Sequence, residues 1–243
     1  MTTTRTRSAS APSNKATGPA RTKKPAAASS AAKGNIKAQQ RQASLAKILE
    51  SALRIFVRKG YSAATVDDIA QACELTKGAV YFYFSSKSAV LHALFDQIEQ
   101  VIVQGVIDSI DRAGPRQTDK LIAYLHSGAG LGNVQPQLIL LYILMLLEFN
   151  GTGDELESRV KALYQRIAKR VESVIEAGQK TGEFRTDLAI REMSSIVMAL
   201  FNGTFMEWYC RPRLLDGPEL VKVARVTALN GLLLKPAQTR KAS

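Results

Sequence analysis

The sequence predicts an all-α fold of about nine helices. Three observations predict it. Apolar residues recur at helical spacing almost everywhere past residue 40, no stretch alternates with period two, and caps and breakers fall at helix-length intervals. The first helix carries Leu45, Ile48, Leu49, Ala52, Leu53, Phe56 and Val57 on one stripe, and Gly60 closes it. Thr65 is placed to cap a short helix whose first turn holds Asp67 and Asp68, favourable charges at that end of the helix dipole. Thr76 is placed to cap a second short helix with Val80 facing inward. A long helix follows from about Ser86 to Asp111, stopped by Gly114-Pro115. Thr118 with Asp119 starts a helix that is expected to fade in the glycine-rich stretch 127–132. Pro136 suits the first turn of a very apolar helix to about Phe149. Asn150-Gly151-Thr152-Gly153 breaks it, and Asp154 caps a long amphipathic helix ending near Thr181-Gly182. Thr186 or Asp187 is expected to cap a helix to about Cys210. A last helix spans about 218–234.

Charge divides this chain unevenly. Its 243 residues carry 33 Lys+Arg against 21 Asp+Glu, a net +12. Residues 1–40 hold eight basic groups and no acid; residues 41–95 hold seven against four; the remainder is nearly neutral. The excess points to a polyanionic partner, either nucleic acid or an anionic membrane surface. The basic tail has one large aliphatic residue, Ile36, and no aromatic, so it is expected to be disordered. Its composition also matches a transit peptide, but no amphipathic stretch accompanies it, and no apolar core of a secretory signal follows. The longest apolar run, Leu138 to Leu147, is about half of what a bilayer span needs. A soluble protein without membrane association is expected. Cys73 and Cys210 with two histidines make neither a disulfide framework nor a zinc module, so no metal or cofactor is expected.

Two short helices across a tight turn, led by a buttressing helix, make a helix-turn-helix. Its second helix is expected to enter a major groove with Thr76, Lys77, Gly78, Ala79, Tyr81 and Tyr83 outward. Lys77 offers a cation to phosphate or guanine edges, Gly78 and Ala79 permit close backbone approach, and the tyrosines donate to phosphates. Phe82 and Phe84 are assigned to packing. Lys87, opening the next helix, adds a cation beside a dipole that attracts phosphate.

The run Gly60 to Phe95 resembles the N-terminal domain of the tetracycline-repressor (TetR) family of bacterial transcription regulators. The resemblance rests on Gly60-Tyr61 and Thr65, on Ile69-Ala70 to Val80-Tyr81, and on Phe84 with Lys87. Glu74 departs from the pattern, since the family usually has a glycine at that turn. A positive φ there would cost a glutamate roughly 1 kcal/mol.

Composition and the resemblance together divide the chain into four segments: a disordered basic tail at 1–40, a DNA-binding domain at 41–86, a ligand-binding and dimerisation domain at 87–235, and a disordered C-terminus at 236–243. The resemblance implies a homodimer paired through its last two helices, with mid-helix Gly203 at the interface. It also implies an apolar pocket for a small-molecule effector in each subunit. Candidate lining is Tyr124, His126, Tyr142, Met145, Phe149 and Tyr164, with Phe201, Phe205 and Trp208 from the next helix. Such a pocket suits a mostly apolar ligand: an acyl-CoA, an aromatic compound or a lipophilic drug.

The function expected is ligand-responsive binding to a palindromic operator on double-stranded DNA in the bacterial cytoplasm, with repression relieved by the effector. Activation by the same fold, and non-specific architectural binding dominated by the tail, are the alternatives. Enzymatic activity is not expected. His92 and His126 sit in separate helices without a placed nucleophile, and Glu148 reads as a helix-terminal carboxylate.

Overall fold

The structure, a computed structural model, describes residues 1–4 and 26–233. Ten α-helices and one π-helical segment follow each other in the order α1 (Ala26–Lys59), α2 (Val66–Ala72), α3 (Lys77–Tyr83), α4 (Lys87–Gln97), the π segment (Ile98–Val103), α5 (Gln104–Arg112), α6 (Gln117–Val134), α7 (Pro136–Glu148), α8 (Glu155–Lys180), α9 (Ile190–Cys210) and α10 (Gly217–Leu232). Because α4, the π segment and α5 run on without a break, these make nine helical rods among the described residues. One isolated antiparallel bridge, Phe184 with Leu233, is the only strand-like pairing among them. No single helix there is long and apolar enough to cross a membrane.

The chain divides into two compact units, Met1–Gln42 and Ala43–Ser243. Within the first, residues 26–40 are helical where a structureless tail was expected. Five alanines between Ala26 and Ala32, the strongest helix formers, account for the difference. The tail expectation for residues 5–25, and that for 236–243, lie outside the described residues. In the second unit, one hydrophobic core runs from Ile48 and Phe56 through Phe95 and Ile98 to Val174 and Leu232.

Local capping forms most helix ends. Gly60 (φ +80) ends α1, its N–H donating to the Phe56 carbonyl at 2.9 Å. Thr65 and Asp68 form a reciprocal capping box on α2. Thr76, Ser86, Asp154 and Asp216 each accept a backbone N–H at the start of α3, α4, α8 and α10. Pro136 occupies the first turn of α7.

Two starts and one end differ from expectation. α6 begins at Gln117 without a local cap. Glu183 accepts from the N–H groups of Gln117 and Thr118, both at 2.9 Å, and from the Thr118 hydroxyl at 2.8 Å. This helix also continues through the glycine-rich stretch to Val134. Gly132 allows a close approach there: a Cβ on it would stand 3.5 Å from the Phe205 ring. α9 begins at Ile190, not after Thr186 or Asp187, because the Asp187 carboxylate is engaged by Arg185.

Glu74 adopts φ +53, the left-handed region, and its carboxylate pairs with Lys47 at 3.0 Å. Both partners are exposed, so the pair contributes little. Glu74→Gly is therefore expected to stabilise the protein by about 0.5–1 kcal/mol, read as a higher denaturant midpoint at unchanged slope.

Candidate functional site

The helix-turn-helix is built from three helices that bury Ile48, Phe56, Ile69, Ala70 and Val80 against one another. Leu75 N–H donates to the Ala70 carbonyl at 2.9 Å, which sets the turn between α2 and α3. Outward on α3 stand Thr76, Lys77, Gly78, Tyr81 and Phe82, with Ala79 half-buried at the edge. Thr65 is exposed at the start of α2, its hydroxyl engaged by Asp68. Lys77 Nζ rests 2.7 Å from Asp67, which raises its pKa and keeps it protonated. This pair is solvated, so a phosphate or a base edge can take the ammonium at small cost.

Of the four aromatics Tyr81 to Phe84, the middle two exchange places, while Tyr81 stays outward and Phe84 inward. Phe82 is 77% exposed, whereas Tyr83 packs against the core with Phe84. An outward Tyr81 and Tyr83 with inward Phe82 and Phe84 would be the two-residue alternation of a strand. In a helix, Tyr83 and Phe84 lie three and four residues past buried Val80 and follow it inward, while Phe82 turns out. Tyr83 thus leaves the candidate DNA face and Phe82 joins it.

Lys87 is also corrected. Its ammonium does not face outward; it donates to the carbonyls of Tyr61 (2.8 Å), Ala64 (2.9 Å) and Ser62 (3.4 Å) and lies 4.3 Å from the Tyr61 ring centroid. The same α1–α2 turn is held from its other side by Glu148 at the end of α7. Glu148 accepts from the N–H groups of Tyr61 (2.9 Å) and Ser62 (2.7 Å) and from the Ser62 hydroxyl (2.7 Å). Partial burial pushes the Glu148 pKa up, but the Ser62 and Tyr61 bonds and the Lys87 charge together bring it below its ordinary value of 4.5. A lowered carboxylate pKa stabilises the fold above the ordinary value. That contribution is lost as pH falls through the lowered value, so the clamp is intact at neutral pH. Glu148 carried no sequence signal beyond being an acid at the end of an apolar helix; its partners are 86 and 87 residues away.

The candidate pocket residues separate into distinct places. Tyr124, Tyr142, Tyr164 and Phe201 converge on an inner cavity of about 20 Å³, joined by Ile102 and Asn202. Tyr124 and Phe201 stack there with ring centroids 5.0 Å apart. Burial pushes the Tyr142 and Tyr124 phenols far up, so both stay neutral. Phe205 and Trp208 line an outer cleft of about 70 Å³ with Phe201, Leu125 and Val221. His126 lies exposed on the surface, its Nε2 accepting from Arg225 at 3.0 Å. Arginine only donates, so the ring is neutral with its proton on Nδ1. Burial and the Arg225 charge both lower its pKa, in keeping with that state. Met145 is fully buried core and Phe149 packs against Tyr61 at 5.3 Å; neither lines these cavities. Asn202 and Ile102 were missed, since neither aromatic character nor charge distinguishes them in the sequence.

Gly203 is exposed on α9, and a Cβ added to it would meet nothing within 4 Å. Nothing in the protomer therefore requires a glycine. On the same outward side of α9 and α10, Ile196, Val223 and Val226 are exposed. A groove of about 600 Å³ between the two helices is lined by Ile196, Leu200, Thr227 and Ala228.

A three-helix reading head, two helices clamped onto its first turn, and an apolar cavity among the remaining helices define the class of a helical transcription regulator. Comparison with known proteins agrees. Residues 48–94 match the family model of bacterial regulatory proteins, tetR family, and residues 141–227 match the tetracyclin repressor-like C-terminal domain. The crystal structure of the MbdR regulator from Azoarcus sp. CIB is 43% identical, with a TM-score of 0.71 over 79% of this chain and 100% of that one. The HTH-type transcriptional repressor DhaR of Mycobacterium sp. (strain GP1) is 25% identical over 167 residues, 65% of this chain and 79% of that protein. FadR from Bacillus subtilis, solved in complex with stearoyl-CoA, shares the fold at 19% identity and a TM-score of 0.62, over 76% of this chain and 97% of that one. The chain belongs to the tetR family of bacterial transcription regulators.

Proposed function

We propose that this chain is a cytoplasmic repressor that binds a palindromic operator as a homodimer and leaves it when a mostly apolar effector enters each subunit. One observation carries the reading. The rod formed by α4, the π segment and α5, and the helix α7, each line the inner cavity and each hold the α1–α2 turn. The first does so through Ile102 and Lys87, the second through Tyr142 and Glu148. An effector that parts these two helices changes how the reading head is carried. Its influence equals its differential affinity for the two arrangements. The π segment Ile98–Val103 lies between Lys87 and Val106, a looser helical turn of the kind that accommodates such shifts.

The outer side of α9 and α10, where Ile196, Val223, Val226 and Gly203 are exposed, supports pairing of two copies there. Such a dimer presents two α3 helices roughly 34 Å apart, one turn of DNA. Lys77, Gly78, Tyr81 and Phe82 are the groove-facing residues, with Thr76, Ala79 and Thr65 at the edge. The repressor DhaR and the acyl-CoA complex of FadR support both halves of the reading, DNA control and an apolar effector.

Lys77→Ala tests it. Operator affinity is expected to fall by about 1–3 kcal/mol, measured by fluorescence anisotropy, with folding stability unchanged because the Lys77–Asp67 pair is exposed. Unchanged operator affinity would remove α3 as the recognition helix.

A further inference from the structure

On the face that α3 turns outward, Phe82 is the one residue without a polar group and with a large side chain. It is 77% exposed, although Tyr83 and Phe84 beside it pack against the core. Its ring is braced on one side, meeting the Tyr83 ring edge-on with centroids 5.1 Å apart. One turn earlier on the same side stands Gly78, where an added Cβ would meet only the Thr76 hydroxyl, at 4.0 Å. Helical side chains slant toward the N-terminus of their helix, so a side chain at position 78 is what would screen the ring; glycine leaves it bare. The N-terminal turns of a recognition helix are the ones that meet base edges. We infer that Phe82 reads thymine, its ring covering the C5 methyl of one thymine in each half-site of the operator. The inference rests on the operator reading above and adds to it the base that one residue selects.

Chemistry narrows the partner of the ring. Thr76, Lys77 and Tyr81 around it are exposed and can each donate a hydrogen bond to a phosphate or a base edge. A phenyl ring neither donates nor accepts, so phosphates and the donor–acceptor pattern of the bases are closed to it. The major groove offers it one apolar group, the thymine methyl. The groove edges of guanine, cytosine and adenine are polar. A ring pressed on one of them strips its water and returns no hydrogen bond, which is unfavourable. The same contact therefore favours a thymine and disfavours a G·C pair at that position. Ala79, the other apolar side chain near the start of α3, is half-buried at the edge and leaves the role to Phe82. Scattered apolar residues are ordinary on protein surfaces. What sets Phe82 apart is its place between the Lys77 and Tyr81 that flank it on one groove-facing side. An exposed phenylalanine can also wedge between base steps, but that is a minor-groove device, and a helix fits the major groove.

The test removes the methyl and nothing else. Duplexes are enriched from a random pool by the full wild-type chain, and each thymine of the enriched sequence is replaced in turn by deoxyuridine, which pairs as thymine does but lacks the methyl. At one thymine in each half-site, the replacement is expected to weaken wild-type binding about fourfold, the effect of one buried methyl. Phe82→Ala is expected to bind the thymine duplex about tenfold more weakly and to treat thymine and deoxyuridine at that position alike. The exposed side chain makes this variant one that keeps its fold, which a melting curve checks. Phe82→Leu, still apolar, should keep the preference for the methyl. With cytosine at the same position, adding a 5-methyl group should tighten wild-type binding about fourfold and leave Phe82→Ala unmoved. The inference is overturned if no deoxyuridine replacement weakens the wild-type chain, if each weakens wild type and Phe82→Ala equally, or if Phe82→Ala binds the operator as tightly as wild type. The enrichment itself separates the two levels. A chain that enriches a sequence but ignores the methyl sinks this inference and leaves the regulator reading standing; a chain that enriches no sequence sinks both.

Discussion

Replacing Lys87 with methionine is expected to cost about 2–3 kcal/mol of folding stability and to leave the salt dependence of operator binding unchanged. The ammonium donates to three carbonyls of the α1–α2 turn and covers the Tyr61 ring, while methionine keeps the apolar stem and offers no donor. Those carbonyls then lose a charge-assisted partner, and the turn that delivers Thr65 to the start of α2 loosens. Operator affinity should drop roughly tenfold through loss of order in the reading head. The salt series discriminates between roles. A phosphate contact at Lys87 would lower the slope of log affinity against log salt by about one and spare stability. The clamp predicts the opposite pattern, read from denaturant melts and anisotropy titrations at several salt concentrations.

Gly178→Ala is expected to be as damaging to the fold, about 2–3 kcal/mol, or roughly 5–10 °C in melting temperature. An ideal Cβ on Gly178 would stand 2.0 Å from the Phe184 ring, and that ring is fully buried. The gain in helix propensity, about 1 kcal/mol, does not offset such a clash. Phe184 has nowhere to go: the N–H groups of Glu183 and Phe184 donate to the Gly178 carbonyl at 2.8 and 3.0 Å, and Arg185 N–H donates to Leu232 at 2.9 Å. The same segment supplies Glu183 to the start of α6, the helix that carries Tyr124 and His126. Unfolding melts measure the first effect. A loss of effector response in variants that still fold would show the second.

What proved legible in the sequence was local. Thr65, Thr76, Ser86 and Asp154 cap helices within three residues of themselves, and Gly60 and Pro136 act through their own backbone, so spacing alone located them. The strain at Glu74 was legible for the same reason: a turn demands its φ whatever surrounds it. What escaped depends on contacts distant in the chain. Glu183 caps α6 from 65 residues away, and Glu148 and Lys87 close on Tyr61 from α7 and α4. A lysine beside a recognition helix reads as a DNA contact until three carbonyls are seen around it. The Tyr81-to-Phe84 run failed for a different reason, a two-residue alternation imposed where a 3.6-residue period holds. In the candidate pocket, residue type separated aromatics from aliphatics. It did not separate cavity (Tyr124, Tyr142), cleft (Phe205, Trp208), core (Met145, Phe149) and surface (His126), because that division is made by how α6, α7, α9 and α10 cross.

The central claim is that α3 of two paired copies reads a palindrome. Selection of bound duplexes from a random pool by the purified full chain tests it most directly, with Lys77→Ala run in parallel. The account predicts an enriched sequence with two-fold symmetry and half-sites one helical turn apart, bound by two copies and lost from the Lys77→Ala pool. Enrichment of no sequence, or of a single asymmetric site bound by one copy, would contradict it.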